Sequence, residues 1–235
     1  LNVYSLASMH GGKAFFSFVR FLRHESVDVV QTCFHDSTLF GILAARIAGV
    51  KKTISCRRDL GFWYDKTLLR NMSLANTFTD RILANCMAVK EMVVNNEHLP
   101  PTKIDVIHNG LDLESFDRQF VVDLPAEFPE IQDCDLVIGM VANYNRRVKR
   151  ADLFVKAAAE VVKHHDNVKF LLIGGGRLEN ELRNLIGLLG LQSRVILGGK
   201  REPATPYIKS FDIGVITSDS EGFSNVLLEY MAAGI

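Results

Sequence analysis

Three observations on this 235-residue sequence predict an α/β fold built on parallel sheets. Apolar, β-rich runs alternate with helix-period runs along almost the whole chain, the pattern of a parallel sheet wrapped by helices. That alternation breaks once, between Gly110 and Asp135, and then restarts. Apolar residues make up 48% and charged residues 23%, enough to bury a real core, which excludes disordered, collagen-like and mini-protein classes. At about 150 residues per domain, the length suits one large domain or two modest ones.

In the first half the periodicity predicts a helix over Ala14–His24 and a strand over Asp28–Thr32. A helix over Ser37–Ala48 follows, with Leu39, Ile42, Leu43 and Ile47 on one face. A short strand at Thr53–Cys56, a helix near Lys66–Thr77, a strand at Arg81–Ala84, a helix over Ala88–Asn96 and a strand at Ile104–Ile107 complete it. From Gly110 to Asp135, Phe116, Pro125, Pro129 and the six acidic residues from Asp112 to Glu130 sustain neither period, which marks a domain boundary. The second half runs strand Leu136–Ala142, helix Ala151–His164, strand Val168–Ile173, Gly174-Gly175-Gly176, helix Leu178–Leu189 and strand Val195–Leu197. A short helix near Thr205–Ser210, strand Asp212–Thr217 and a helix from about Ser224 follow, as successive βα units of a doubly wound sheet. Residues 1–117 and 118–235 are therefore expected to form two Rossmann-like domains. No strand and glycine-rich turn precede Ala14, and the chain stops where a further strand is due, so both domains are expected to be incomplete parts of a longer protein.

Lys plus Arg balance Asp plus Glu at 27 each, with 13 against 12 up to Asp117 and 14 against 15 after it. Neither half is a polycation, so nucleic acid is not the expected partner. Apolar runs such as Phe170 to Ile173 fall far short of the ~20 residues that span a bilayer, and the first residues show no export signal. Cys33, Cys56, Cys86 and Cys134 lack C-x-x-C spacing and read as four reduced thiols in cytoplasm. His10, His24, His98, His108, His164 and His165 show no ligand-like grouping, so no metal site is expected.

In open α/β sheets, ligands sit beyond the carboxyl ends of the strands, where helix N-termini offer unpaired N–H groups to anions. The second half has three such ends. One carries Arg146, Arg147, Lys149 and Arg150, one the glycine triplet beginning at Gly174, and one Ser218 to Asn225. Arg and Lys suit phosphate oxygens, although the same cations would also serve as a solvated loop. Glu221 and Glu229 stand eight residues apart, on either side of a helix start capped by Ser224 or Asn225. In the first half, Cys33-Phe34-His35-Asp36 follows one strand and Arg57-Arg58-Asp59-Leu60-Gly61-Phe62-Trp63-Tyr64 the next. Arg57, Arg58, Asp59 and Trp63 suit ligand recognition by charge and stacking, and equally a structural Arg–Asp pair with an aromatic lid.

The segment Glu221-Gly222-Phe223-Ser224-Asn225-Val226-Leu227-Leu228-Glu229 resembles the E-x7-E segment of retaining GT-B glycosyltransferases of family 4. Val106 to Asp112 is similar to that family's "V-I-x-N-G-V-D" turn, Val148 to Phe154 to its "K-G-x-D-L-L" helix start, and Leu171 to Gly176 to its "L-x-I-x-G-x-G" turn. The resemblance implies two domains facing a cleft and a metal-independent, cofactor-free transfer, with retention, of a sugar from a UDP- or GDP-linked donor. The acceptor hydroxyl would belong to a growing polysaccharide, glycolipid or glycoconjugate.

The resemblance gives Glu221 the donor sugar, Glu229 the ribose hydroxyls, and Lys149 with Arg147 or Arg146 the diphosphate. Gly174, Gly222, Phe223, Ser224, Asn225 and Val226 would line the donor site. His35 would touch the donor sugar or acceptor hydroxyl, with Arg57, Arg58, Asp59 and Trp63 on the acceptor side. Asn143 stands where the family usually has Arg, which makes the assignment ambiguous, with Arg147 the expected diphosphate cation and Arg146 the next candidate. The implied setting is cytoplasmic, with a glycan or lipid-linked acceptor and peripheral contact with the inner membrane face. The alternatives are a non-catalytic GT-B nucleotide- or glycan-binding partner and a GT-B sugar-nucleotide epimerase. An NAD-type dehydrogenase fits poorly, because the glycine triplet follows the second strand of its half.

Overall fold

The structure, a computed structural model, describes residues 9–133 and 135–235. The opening ahead of Met9, Cys134 and the side chains of Met9, His10 and Asp36 lie outside the described residues. The chain divides into two compact units, Leu1–Asn109 and Gly110–Ile235.

The first unit runs α1 (Met9–His24), β1 (Val29–Thr32), α2 (His35–Ala48), β2 (Lys52–Arg57), α3 (Lys66–Phe78), β3 (Arg81–Ala84), α4 (Met87–Asn96) and β4 (Ile104–Val106). Its four strands lie in the order β1-β2-β3-β4, each pair parallel. Val19 and Leu22 of α1 pack with Val30 of β1 and with Ala44, Ala45 and Val50. The helix ends follow local chemistry. Asp65 caps α3 by accepting from the Leu68 amide at 2.7 Å, and Gly49, at φ 83°, ends α2 in the left-handed conformation open to glycine.

The second unit opens with two short helices, α5 (Leu113–Asp117) and α6 (Leu124–Glu127). Each starts on an aspartate, Asp112 accepting from the Ser115 amide and Asp123 from the Ala126 amide, both at 3.1 Å. Helices this short leave no periodic trace, so the sequence pattern showed only a break. Lys209 donates to the Asp117 and Gln119 carbonyls and lies over the Phe116 ring, so α5 packs within this unit.

β5 (Leu136–Val141), α7 (Ala151–Val161), β6 (Val168–Ile173), α8 (Glu179–Leu188), β7 (Val195–Gly199), α9 (Thr205–Ile208), β8 (Ile213–Gly214) and α10 (Asn225–Ala233) follow. The strands are parallel in the order β7-β6-β5-β8. Both faces of the sheet are covered, as the continuous apolar run of β6 requires. Phe170 and Leu172 join Phe154, Val155, Leu182 and Ile186 of α7 and α8, while Leu171 and Ile173 join Ile208, Phe211 and Tyr230 on the other face.

β8 is shorter than the expected Asp212–Thr217. Beyond Val215 the chain turns from β5 to the loop before α7, where the Thr217 hydroxyl bonds to the Lys149 and Arg150 carbonyls and the Asp219 amide to the Val148 carbonyl.

Candidate functional site

In the second unit the chain steps outward from β5 through β6 to β7 and then returns to the other side of β5 as β8. The crevice beyond β5 and β8 is thus a topological switch point, the place where doubly wound sheets bind ligands. Its walls are the 142–150 and 215–224 loops, held together by the Thr217 and Asp219 bonds. Arg150 adds ion pairs to Asp152 at 3.1 Å and to Asp219 at 2.8 Å. Lys149 and Glu221 meet in this crevice, Nζ to Oε1 at 2.5 Å, both partly exposed.

The glycine triplet forms the adjoining wall. Gly174 sits at φ 140°, and an added Cβ would strike the Ala142 carbonyl; a Cβ on Gly176 would strike the backbone of Tyr144 and Asn145. Only glycine lets the β6 turn approach the β5 turn this closely. Tyr144 fastens the approach, its hydroxyl donating to the Gly174 carbonyl at 2.7 Å and its amide to the Gly175 carbonyl at 3.2 Å. Asn143 accepts from the Asn145 amide at 2.9 Å, and Asn145 from the Arg177 amide at 2.9 Å, so Asn143 shapes this turn. Between the walls lies a cavity of about 660 Å³ lined by Asn143, Lys149, Gly174 to Gly176, Lys200, Arg201 and Val226, among others.

Gly222 and Phe223 lead into Ser224, the N-cap of α10, whose hydroxyl makes no capping bond. Asn225 and Val226 form the first turn. Glu229, one turn on, is half-buried and has no hydrogen-bond or ion-pair partner among the described residues, and burial pushes its pKa above the ordinary carboxylate value. Tyr230 locks α10 to the sheet, its hydroxyl accepting from the Val141 amide at 3.1 Å.

The structure does not bring every expected cation to this crevice. Arg147 pairs with Glu181 of α8 at 2.7 Å, and Arg146 and Arg147 line a separate groove between α7 and α8. The cause is local. Residues 147–149 form one 3₁₀ turn, and at three residues per turn the side chains of positions two apart leave in different directions. Lys200 and Arg201 instead line the cavity from the end of β7, and neither was singled out from sequence. The signal that could have found them is the one used for Lys149, cations directly after a buried strand, here behind Gly198-Gly199. Arg201 pairs with Glu127 at 2.8 Å and lies over the Phe128 and Tyr207 rings, whereas Lys200 is exposed and pairs with the exposed Glu202 at 2.8 Å.

In the first unit, Cys33, His35, Arg58, Asp59 and Trp63 line a small cavity of about 60 Å³ at the carboxyl ends of β1 and β2. The rings of His35 and Trp63 stack at 4.2 Å, and Asp59 accepts from the Trp63 indole at 2.9 Å and from the Gly61 amide at 2.9 Å. Arg57, expected on the acceptor side, is instead buried. It donates to both Glu97 oxygens at 2.7 and 2.9 Å, to Asn76 at 3.0 Å and to Ser55 at 2.6 Å. Tyr64 also donates to Glu97. The structural pairing is thus Arg57–Glu97, and Asp59 serves the aromatic loop. No group of three or more His, Cys, Asp or Glu among the described residues could hold a metal ion, and no described helix is long and apolar enough to cross a membrane.

One family model, "Glycosyltransferase Family 4", matches residues 7–115, and another, "Glycosyl transferases group 1", matches residues 135–235. A UDP-Gal:alpha-D-GlcNAc-diphosphoundecaprenol alpha-1,3-galactosyltransferase of Escherichia coli is 28% identical over 95% of this chain and 60% of its own. An N-acetyl-alpha-D-glucosaminyl L-malate synthase of Bacillus anthracis is 29% identical over 63% of this chain and 39% of its own. Among solved structures, Anabaena HepE in complex with UDP and glucose superposes with a TM-score of 0.83 at 20% identity, over 99% of this chain and 64% of that one. S. aureus TarM gives 0.74 at 16% identity, over 93% of this chain and 43% of that one. The chain thus spans at most about two thirds of the length of each of these relatives. With a matching family model on each half and two parallel α/β units of this topology, the chain belongs to the group 1, family 4 glycosyltransferases of the GT-B fold.

Proposed function

We propose that this chain supplies the donor-binding unit and the acceptor-side unit of a retaining, metal-independent glycosyltransferase that uses a nucleoside-diphosphate sugar. The observation that carries the reading is the Lys149–Glu221 pair at the β5/β8 switch point, beside a glycine-walled cavity. A diphosphate in that cavity would compete with Glu221 for Lys149, and the freed carboxylate would accept hydrogen bonds from sugar hydroxyls. As the anomeric bond breaks, charge grows on the departing diphosphate. Prepositioned cations and the N–H groups at the start of α10 favour that state over the ground state. The departing phosphate takes the acceptor proton while the acceptor oxygen bonds to the anomeric carbon on the same face. Glu229, half-buried and without a partner among the described residues, is the proposed acceptor for the ribose hydroxyls, and His35 the proposed contact to donor sugar or acceptor hydroxyl.

UDP is the preferred donor nucleotide in this proposal, supported by the UDP named in the HepE complex and in the E. coli relative. The latter's name also supports a lipid-linked glycan acceptor, and with it peripheral contact with a membrane face. The test is thermal stabilisation of the chain by UDP, GDP, ADP and NAD. A ligand at 100 times its dissociation constant adds about 2.7 kcal/mol. Selective stabilisation by one nucleoside diphosphate, lost in Lys149→Ala and Glu229→Ala, supports the site, and stabilisation by NAD alone overturns it.

A further inference from the structure

We propose that Cys33 and Cys56 form a modification site that hydroperoxides oxidise to an intramolecular disulfide, closing the cavity lined by His35 and Trp63. The site stands independently of the glycosyltransferase reading.

The register places the two thiols side by side. Gln31 pairs with Ile54 and Thr32 with Ser55, so the next step along the ladder sets Cys33 opposite Cys56. Side chains alternate across a sheet. The Thr32 hydroxyl meets Ser55 at 3.2 Å on one face, while the Gln31 amide donates to the Cys56 sulfur at 3.0 Å on the other, the face Cys33 shares. Neighbouring strands run about 4.7–4.9 Å apart, inside the Cα separations of about 4.4–6.8 Å that a disulfide spans. Both cysteines are free, and both line the same small cavity.

Their environments divide the labour. Cys33 is exposed, one residue beyond β1, and meets the oxidant first. Cys56 is half-buried, and burial pushes its thiol pKa up, with Cys33 beside it adding to the shift against the Gln31 hydrogen bond and the Arg58 charge. A shielded, less acidic thiol is poorly suited to first attack and suited to resolving a neighbour. The Cys33 thiolate attacks a peroxide oxygen, the O–O bond breaks, and Cys33 becomes a sulfenic acid as water or an alcohol departs. Cys56 then attacks the sulfenic sulfur, forming the S–S bond and releasing water. The two thiols lose two electrons and two protons, and the peroxide takes up both.

The test is to treat the protein with hydrogen peroxide, quench with N-ethylmaleimide and map the peptides by mass spectrometry. A Cys33–Cys56 crosslink that dithiothreitol reverses is expected. In Cys56→Ser, dimedone should trap a sulfenic acid on Cys33, whereas in Cys33→Ser the trapping at Cys56 should be slower, because Cys56 is shielded where Cys33 is exposed. Trp63, the single tryptophan, reports on the cavity, and its emission should change with the crosslink and recover on reduction. Thiols that stay free, a Cys33 driven to sulfinic acid without a crosslink, pairing with Cys86 or between molecules, or a crosslink that leaves Trp63 emission unchanged would each overturn the proposal. The wild-type map decides even where a serine variant fails to fold.

Discussion

The Lys149 ammonium lies 2.5 Å from the Glu221 carboxylate although 72 positions separate the two residues. They meet because Lys149 follows β5 and Glu221 follows β8, and β5 and β8 are neighbours only through the reversal of strand order. The pair is partly exposed, so its worth to folding is about 0–1 kcal/mol, while its place is where a diphosphate would arrive.

Lys149→Ala should therefore separate binding from stability. Without ligand the melting temperature should change by no more than about 2–4 °C, the equivalent of 1 kcal/mol in a chain of this size. Affinity for the stabilising nucleoside diphosphate should fall by about 10–100-fold, the loss of one hydrogen bond to a charged group. Thermal shift titrations of both proteins measure the two numbers together, and equal affinity would remove Lys149 from the site.

Glu229→Gln should show the opposite signs in the two measurements. Burial raises the folded-state pKa of Glu229, so its favourable contribution is complete below the unfolded value of about 4.3 and is lost as pH rises through the raised value. At neutral pH the unpartnered carboxylate costs stability. Glu229→Gln should then melt slightly higher without ligand, by at most about 1 kcal/mol after solvent screening, and lose nucleotide stabilisation. Melting curves at pH 4 to 8 should converge with wild type toward acid.

Glu97 should be costly to change. Burial alone would raise its pKa, but Arg57, Tyr64 and Asn76 outweigh burial and hold it below the ordinary value. That contribution is present above the unfolded value of about 4.3 and is lost as pH falls through the lower folded value. Glu97→Gln leaves Arg57 charged, buried and without a counter-ion, and should destabilise by about 3–5 kcal/mol at neutral pH. Its acid denaturation limb should be flatter than wild type's. Because Tyr64 contacts both Glu97 and the Trp63 ring, edge-on at 4.5 Å, Trp63 emission should shift as well. A neutral substitution would show that the network is dispensable.

The site was legible in sequence where its chemistry is local to a strand end. Arg81–Ala84 and Val168–Ile173 have the boundaries that their apolar runs foretell. Lys149, Gly174 and Glu221 converge because each follows a buried parallel strand. Pairings across the fold left no such trace. Nothing in Arg57-Arg58-Asp59 says that the first Arg turns inward to Glu97, 40 positions away. β2 settles it through strand alternation, with Thr53, Ser55 and Arg57 all on the buried face. The run Arg146 to Arg150 reads as one clamp in one dimension, yet its 3₁₀ turn sends Arg147 to Glu181 and Lys149 to Glu221.

That divergence predicts which cations serve the diphosphate. Arg147 is exposed and paired with Glu181 on the α8 side, whereas Lys200 lines the cavity with Lys149 and pairs with an exposed Glu202. Arg147→Ala should leave nucleoside diphosphate affinity within about twofold, since exposed ion pairs are worth little. Lys200→Ala should weaken binding by about 3–10-fold, less than Lys149→Ala, because its ammonium is well hydrated before the ligand arrives. Raising the salt concentration should also reduce the Lys200 effect more than the Lys149 effect, as screening acts most on exposed charges. If Arg147→Ala instead matched Lys149→Ala, the Arg147 side chain would have to leave Glu181 and swing into the crevice when the diphosphate binds. Glu181→Gln would then strengthen binding by releasing it.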